Sequence, residues 1–137
     1  MRGALLGAIL ALAGCAPGTS GNDGNAAVYA AWAGRQSHVE VVAEGSVARI
    51  LGIRRGPSGV HEGFLLHLRG GAGRGLTVRV EDNIDMTGPV PIAEGAAVRV
   101  RGEYIYDPRG GLIHWTHHDN RLRHLPGFVE INGKRYE

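Results

Sequence analysis

The chain has 137 residues, a length that fits one small domain. Its 15 basic and 13 acidic side chains give a formal net charge of only +2. Because no basic run accompanies this near balance, we do not expect an extended nucleic-acid-binding surface. The single cysteine excludes a disulfide within the chain, so the hydrophobic core alone must hold the fold.

The N-terminal segment has the pattern of a bacterial secretion signal. Arg2 precedes an uncharged apolar stretch, and small residues precede Cys15. A basic start, an apolar run of about ten residues and small residues before a cleavage point are typical of such signals. The sequence Leu-Ala-Gly-Cys at residues 12–15 resembles the lipobox of bacterial lipoproteins, whose cysteine receives a diacylglyceryl group and becomes the N-terminus. We therefore predict a lipoprotein signal peptide at residues 1–14 and lipidation of Cys15.

Lipidation predicts that the protein is extracytoplasmic and is attached to the membrane through the lipid anchor at Cys15. Each buried methylene of the acyl chains contributes about 0.8 kcal/mol, so several chains hold the protein stably. Ala16 follows the cysteine, which resembles lipoproteins sent on to the outer membrane if the cell is Gram-negative. Residues 16–25 are small and polar, a composition typical of flexible tethers. Residues 15–25 are therefore assigned to the acylated cysteine and tether, and residues 26–137 to a single domain.

A helix and six strands are predicted in the domain. Residues 26–34 favour a short helix, with Asn25 as a candidate N-cap and Trp32 expected to pack onto the domain. From about residue 38, apolar and polar residues alternate, which indicates half-buried antiparallel strands. Separated by turns rich in Gly and Pro, these strands are predicted at residues 39–53, 61–69, 76–81, 97–106, 111–115 and 127–131.

The order of the strands predicts one small closed sheet. Three consecutive strands, an irregular connection at residues 82–95 and a hairpin follow the order of an OB-fold. Gly45 interrupts the long first strand and suits a strand that bends to serve both halves of a barrel. We predict an all-β fold: a small antiparallel, OB-fold-like barrel with a short N-terminal helix. An SH3-like or other small barrel is the alternative.

Histidines concentrate near the end of the fifth predicted strand, where four of the seven lie between residues 114 and 124. Imidazole binds metals, transfers protons near neutral pH and costs free energy when it is buried without a partner. Because strand ends and loops meet on one rim of a small barrel, we expect other polar segments to join this cluster. The candidate rim site consists of His61, Asn83, Asp85, Glu103, His114, Trp115, His117, His118, Asp119 and His124.

Three kinds of function remain open for the rim. The first is a binding module for a small or polymeric ligand of the cell envelope. Trp115, Tyr104, Tyr106 and arginine side chains are the candidates for a stacking platform, and the alternation places about half of these aromatic rings in the core. The second is a hydrolase of phosphoester type, with or without a metal ion, in which a histidine oriented by a carboxylate activates water. The third is a structural role, in which the histidines hydrogen-bond loop backbone.

No cofactor is assigned, although a divalent metal fits the residue types at the rim. The candidate ligands are His61, His118 and Asp119, since imidazole and carboxylate both bind divalent ions. The histidine run itself matches no standard ligand spacing, because on a strand His114 and Thr116 share one face.

Glu103 lies in the middle of the fourth predicted strand, where two environments are expected for it. On a solvated face it pairs with Arg79 or Arg99. In a functional site it holds a histidine tautomer or a cation.

The strings Gly102-Glu103-Tyr104, Gly110-Gly111 and residues 114–119 resemble a bacterial family, the domain of unknown function numbered 3465. The resemblance covers about residues 45–136, with further matching positions at His61, Phe64, Asn83-Ile84-Asp85, His124, Gly127, Gly133 and Tyr136. It implies a small secreted or lipid-anchored protein and assigns no activity, cofactor or partner. The chain departs from the family pattern, which has Gln, His, Pro and Trp, at Glu62, Asp82, Asn120 and Phe128.

Overall fold

The structure is a computed structural model that describes residues 23–70 and 75–137. The predicted signal peptide, the lipidation site Cys15 and most of the tether lie outside the described residues. None of the helices in the described ranges is long and apolar enough to span a membrane.

Strands dominate the described chain, with one short helix before them and another among them. In chain order the elements are α1 (Asp23–Ala33), β1 (Val39–Gly56), β2 (Gly59–Leu68), β3 (Thr77–Asn83), α2 (Ile84–Thr87), β4 (Ala97–Ile105), β5 (Leu112–His114), β6 (Phe128–Ile131) and β7 (Lys134–Tyr136).

The first five strands close into a ring in the order β1-β2-β3-β5-β4, with β4 paired back to β1. The two parts of β1 serve different neighbours: Val39–Ser46 pairs with β4 and Gly45–Gly56 pairs with β2. The all-β class with a short N-terminal helix is confirmed, and the closure agrees with the OB-like order. One pair, β3 with β5, is parallel rather than antiparallel, because β5 returns antiparallel to β4 and enters the ring beside β3.

The core lies inside the ring, where the inward-facing residues of alternating strands meet. Strand β4 alternates as predicted, with Val98, Val100 and Tyr104 buried and the intervening side chains on the outer face. The other large inner-face residues of the core are Val41, Val47, Phe64, Leu66, Leu68, Val78, Val80, Ile113 and Val129. Burial of these side chains from water is the main stabilising contribution to the fold.

Helix α1 packs against the ring and begins three residues before the predicted domain boundary. Val28 and Ala31 are buried in the core, whereas Trp32 lies outside it and is 37% exposed. Asn25 is inside the helix rather than at its N-cap. Its amide donates to the carbonyls of Glu44 and Arg69, and its oxygen accepts from the Glu44 N–H, each at 2.8 Å. These bonds attach the helix to the sheet.

Two short strands pair with β4 in addition to β1. Strand β6 pairs with the first part of β4, at Val98–Arg101, and β5 pairs with its last part, at Glu103–Ile105. Residues 115–127 connect β5 to β6 and are called the histidine loop below. The loop leaves the sheet at Trp115, whose φ of 55° is left-handed, and its end is fixed by the Gly127 N–H, which donates to the His117 carbonyl at 3.0 Å.

The left-handed turn at Trp115 overturns one expectation about side-chain direction. His114 and Thr116 do not share a face, since β5 ends at His114 and Trp115 reverses the alternation. His114 is half-buried beside Glu103, while Thr116 is fully buried. The predicted connection at residues 82–95 contains only the four-residue α2, and the Asn132-Gly133 turn continues into β7, a strand that was not predicted.

Candidate functional site

A cleft of about 600 Å³ lies between the histidine loop and residues at the β1–β2 turn and the end of β3. Seven of the ten predicted rim residues line it: His61, Asn83, His114, Trp115, His117, His118 and Asp119. The other lining residues are Ser58, Glu81, Met86, Asn120, Arg121 and Arg123. A second groove of about 450 Å³, lined by Leu51, Leu65 and Tyr106 among others, contains none of the predicted rim residues.

Two histidines of the cleft have a fixed ring orientation. The Nδ1 atom of His61 lies 3.2 Å from the Gly59 carbonyl, and that of His117 lies 2.7 Å from the His118 carbonyl. Because a carbonyl can only accept, Nδ1 is the protonated nitrogen in both rings, and Nε2 carries the lone pair when the ring is neutral. Each ring can therefore accept a hydrogen bond or a proton, or bind a metal ion, through Nε2.

Asp119 organises the histidine loop from within. Its carboxylate accepts from the backbone N–H groups of Arg121, Arg123 and His124 at 2.9, 2.6 and 3.0 Å. These hydrogen bonds, that of Arg121 foremost, lower the pKa of Asp119 although burial opposes the shift. The carboxylate predicted as a metal ligand is thus engaged by loop backbone.

The second acid that lines the cleft is also engaged within the protein. Glu81 accepts from the guanidinium groups of Arg54 and Arg79. Arg123 lies near both Asp119, at 3.8 Å, and the Trp115 ring. Among the described residues, Arg121 has no acidic partner within ion-pair distance. The lining therefore offers arginine and imidazole groups to a ligand and no free carboxylate.

A buried acid fastens the histidine loop to the ring. Asp82, at the end of β3, is 1% exposed and accepts from the hydroxyls of Thr116 and Thr87, each at 2.7 Å. Burial raises the pKa of Asp82 above its usual value, and the two hydroxyl hydrogen bonds only partly offset this. Asp82 therefore influences the shape of the cleft indirectly, because it holds Thr116 of the histidine loop in place.

Asn83 and Asp85 mainly tie turns together. The Asn83 side chain caps α2 by accepting from the Asp85 N–H at 3.1 Å, and it donates to the Ser58 carbonyl at 3.0 Å. Asp85 accepts from the Val60 N–H at 2.9 Å. Asn83 lines the cleft, whereas Asp85 lies beside it and holds the β1–β2 turn.

Glu103 and His124 belong to a second group, on the outer face of the sheet. Glu103 accepts from His114 Nε2 at 3.0 Å and from His38 Nδ1 at 3.3 Å, and its other oxygen lies 4.0 Å from His124 Nδ1. Burial raises the pKa of Glu103, but the hydrogen bonds from His114 and His38 outweigh it and lower the pKa. Of the two expected environments, the structure shows a carboxylate that holds histidines.

The alternative partners of Glu103 are engaged elsewhere, since Arg79 pairs with Glu81 and Arg99 with Glu44. Glu40 stands directly opposite Glu103 in the β1–β4 register. Glu40, Glu103 and His124, called the outer-face triad below, place one ligand atom each within 4.8 Å of the others. This is the set of described residues that could hold a metal ion, and sequence reasoning missed Glu40 because the register of two distant strands cannot be read from the chain.

Trp115 is the aromatic residue that links the two groups. Its ring packs against three imidazoles, with centroid distances of 4.0, 5.5 and 6.0 Å to His124, His117 and His114. Of the three candidate stacking rings, Tyr104 is fully buried and Tyr106 packs against the core, while Trp115 lines the cleft.

A family described as protein of unknown function, DUF3465, matches residues 9–137. The chain belongs to this family. None of the curated proteins and none of the solved structures matches the chain. The predicted resemblance is therefore confirmed, and it extends beyond residues 45–136 to nearly the whole chain.

Proposed function

We propose that this member of the DUF3465 family is a binding module, anchored by lipid at Cys15 outside the cytoplasm, whose cleft takes an anionic ligand of the cell envelope. The observation that carries the proposal is that the acids lining the cleft are engaged within the protein. Glu81 accepts from two arginines, and Asp119 accepts from three backbone N–H groups. Among the described residues, Arg121 has no acidic partner within ion-pair distance, so it can bind a phosphate or carboxylate group of a ligand.

The size and the imidazoles of the cleft narrow the class of ligand. A volume of about 600 Å³ falls within the range of small-molecule sites, and it also fits one unit of a polymer. The Nε2 atoms of His61 and His117 can accept hydrogen bonds from ligand hydroxyls. An anionic group beside hydroxyls describes a phosphorylated or carboxylated sugar, which is therefore the proposed ligand class.

Fluorescence of Trp115 provides a direct test. The chain has two tryptophans, so a Trp32→Phe variant leaves Trp115 as the single reporter at the cleft. We expect saturable changes on titration with a hexose phosphate or a hexuronate, weaker changes with inorganic phosphate and none with the neutral hexose. Arg121→Ala should weaken hexose phosphate binding by about tenfold or more, since a charge-assisted bond is lost.

Arg135→Ala is the matched control, because Arg135 pairs with Glu130 on the β6–β7 hairpin, away from the cleft. Equal binding of the neutral hexose, or equal loss of affinity in both arginine variants, contradicts the proposal. Release of inorganic phosphate from the bound hexose phosphate, lost in His117→Gln, identifies the site instead as a hydrolase.

Anchoring is tested separately in cells. Incorporation of labelled palmitate should be lost on Cys15→Ser, and the protein should move from the membrane fraction to the soluble fraction. Labelling that persists in Cys15→Ser contradicts the proposed anchor without bearing on the cleft.

A further inference from the structure

We propose that the outer-face triad, Glu40, Glu103 and His124, is a binding site for one divalent transition-metal ion, with Zn²⁺ as the preferred ion. The site lies on the outer face of the sheet and shares no ligand with the cleft described above. Its three ligands come from β1, β4 and the histidine loop, so an ion there joins three separate segments of the chain.

The distances fit ligation after a small movement. The three ligand atoms lie within 4.8 Å of one another, and Glu103 Oε2 is 4.0 Å from His124 Nδ1. Zinc bonds of 2.0–2.2 Å place neighbouring tetrahedral ligands about 3.4 Å apart. An inward rotation of the glutamate and histidine side chains by about 1 Å is therefore enough to seat the ion.

Among the described residues, neither Glu40 nor Glu103 forms an ion pair with a lysine or an arginine. Glu40 and Glu103 are direct cross-strand partners, and like charges in that position destabilise a sheet. Glu40 Oε2 is buried and has no hydrogen-bond partner among the described residues. A dication between the carboxylates removes both the repulsion and the unpartnered oxygen.

The neighbours of the triad already orient two of the proposed ligands. His114 and His38 donate to Glu103 Oε1, which leaves Oε2 directed towards His124. Carboxylates that bind metals are commonly held by such outer hydrogen bonds. The His124 ring is stacked on Trp115 with centroids 4.0 Å apart and planes 20° apart, which restrains its rotation.

The mixture of donor atoms selects the class of ion. Imidazole suits Zn²⁺ and other transition ions, while carboxylates accept most divalent ions. Ca²⁺ requires six to eight oxygen ligands, more than the triad can supply. Three protein ligands and one open position for water are the usual arrangement of an accessible zinc site.

Equilibrium dialysis of the full chain against ZnCl₂, followed by elemental analysis, tests the site directly. The protein carries Cys15→Ser so that no thiol competes for the ion. We expect one Zn²⁺ per chain, no competition from millimolar Ca²⁺, and a melting temperature about 5–10 °C higher at saturating Zn²⁺. In the Trp32→Phe background, Zn²⁺ should also change the fluorescence of Trp115, because His124 stacks on that ring.

Three substitutions and two matched controls assign the ligands. Glu40→Gln, Glu103→Gln and His124→Ala should each weaken Zn²⁺ binding by about tenfold or more, and Glu40→Gln should at the same time stabilise the metal-free protein. His118→Ala removes an imidazole from the cleft and His67→Ala removes one that contacts Thr77, so both should bind Zn²⁺ normally.

Zn²⁺ binding that survives Glu40→Gln and His124→Ala but is lost in His118→Ala overturns the proposal in favour of the cleft. The absence of binding by the unsubstituted triad at millimolar Zn²⁺ also overturns the proposal. Binding by the wild-type triad can be measured without any substitution, so a variant that fails to fold does not prevent the test.

Discussion

The carboxylate of Asp82 and the hydroxyl of Thr116 are joined by a hydrogen bond of 2.7 Å in the interior, where Asp82 is 1% exposed and Thr116 is not exposed at all. The bond connects the end of β3 to the start of the histidine loop. Since Trp115 and His117 flank Thr116, the position of this one hydroxyl determines where two cleft side chains lie. The cleft therefore depends on a residue that does not line it.

Asp82→Asn should change how stability depends on pH. Burial raises the pKa of Asp82 in the folded state, so the folded protein binds this proton more tightly than the unfolded chain. The contribution of Asp82 is thus fully present below about pH 4 and is lost as pH rises through its folded pKa. Each unit by which the folded pKa exceeds the unfolded pKa corresponds to about 1.4 kcal/mol.

Urea denaturation of wild type and Asp82→Asn at several values between pH 4 and pH 7 measures this effect. The wild type should lose stability relative to the variant as pH rises. Acids common to both proteins, such as Glu103, contribute equally to the two unfolding free energies, so their effect cancels in the difference. A difference that is constant with pH, or that moves in favour of the wild type, shows that Asp82 is ionised without cost in the folded state.

Asp119→Ala should loosen the histidine loop without unfolding the ring. The carboxylate accepts from the N–H groups of Arg123 and His124, and no other described group replaces these bonds. We expect hydrogen exchange of these two amides to accelerate by about tenfold or more at neutral pH. Because hydrogen bonds lower the pKa of Asp119, the wild-type loop should keep its order above about pH 4 and lose it as pH falls further.

Asp107→Ala is the control for the loop experiment, since Asp107 accepts from Arg109 in a different turn. If hydrogen exchange of the loop amides is unchanged in Asp119→Ala, the loop is ordered by its other attachments instead. These are the hydrogen bonds made by the Thr116 hydroxyl and by the Gly127 N–H.

Alternation was enough to predict most of the strands, because burial on one face of a sheet imposes a period of two. In β4 the pattern correctly assigned Val98, Val100 and Tyr104 to the interior and Glu103 to the outer face. Turn chemistry located the boundaries to within a few residues. The short β7 was missed because its three residues are too few to show a period.

The arrangement of the site could be predicted only in part, because it depends on long-range register and on one unusual dihedral angle. That Glu40 faces Glu103 follows from a pairing of strands about 60 residues apart, which no local pattern encodes. That His114 and Thr116 diverge follows from the left-handed φ of Trp115, a conformation uncommon for a large side chain. The histidines were located correctly, but their division into a cleft and an outer-face group was not foreseen.

Gly127→Ala should destabilise the junction between the histidine loop and β6. A Cβ atom at this position would lie 2.1 Å from the Trp115 carbonyl oxygen, 2.7 Å from the Thr116 Cα and 2.8 Å from the Arg101 carbonyl oxygen of β4. All three contacts are with backbone, so this end of the loop must shift away from Trp115 and from β4, and we expect a cost of about 3 kcal/mol or more. Urea denaturation measures the loss, and near-UV circular dichroism of Trp115 in the Trp32→Phe background reports the shift. Gly56→Ala is the control, because a Cβ there meets nothing within 4 Å; equal stability of the two variants would mean that the loop does not approach β4 this closely.

Tyr104→Phe should lower the free energy of unfolding by about 1–2 kcal/mol, because a buried carbonyl loses its donor. Tyr104 is fully buried, and its hydroxyl donates to the Gly110 carbonyl at 3.0 Å. Burial raises the pKa of Tyr104 to about 12, so the donating form persists and the difference between variant and wild type should be constant from pH 6 to about pH 10. Above that pH the wild type should lose its advantage, since the unfolded tyrosine ionises first.

Tyr106→Phe is the control: because the Tyr106 ring is only partly buried, this substitution should change stability by less than about 0.5 kcal/mol. Equal effects of the two substitutions, or a difference that already declines below pH 9, would show that the Tyr104 hydroxyl does not hold Gly110.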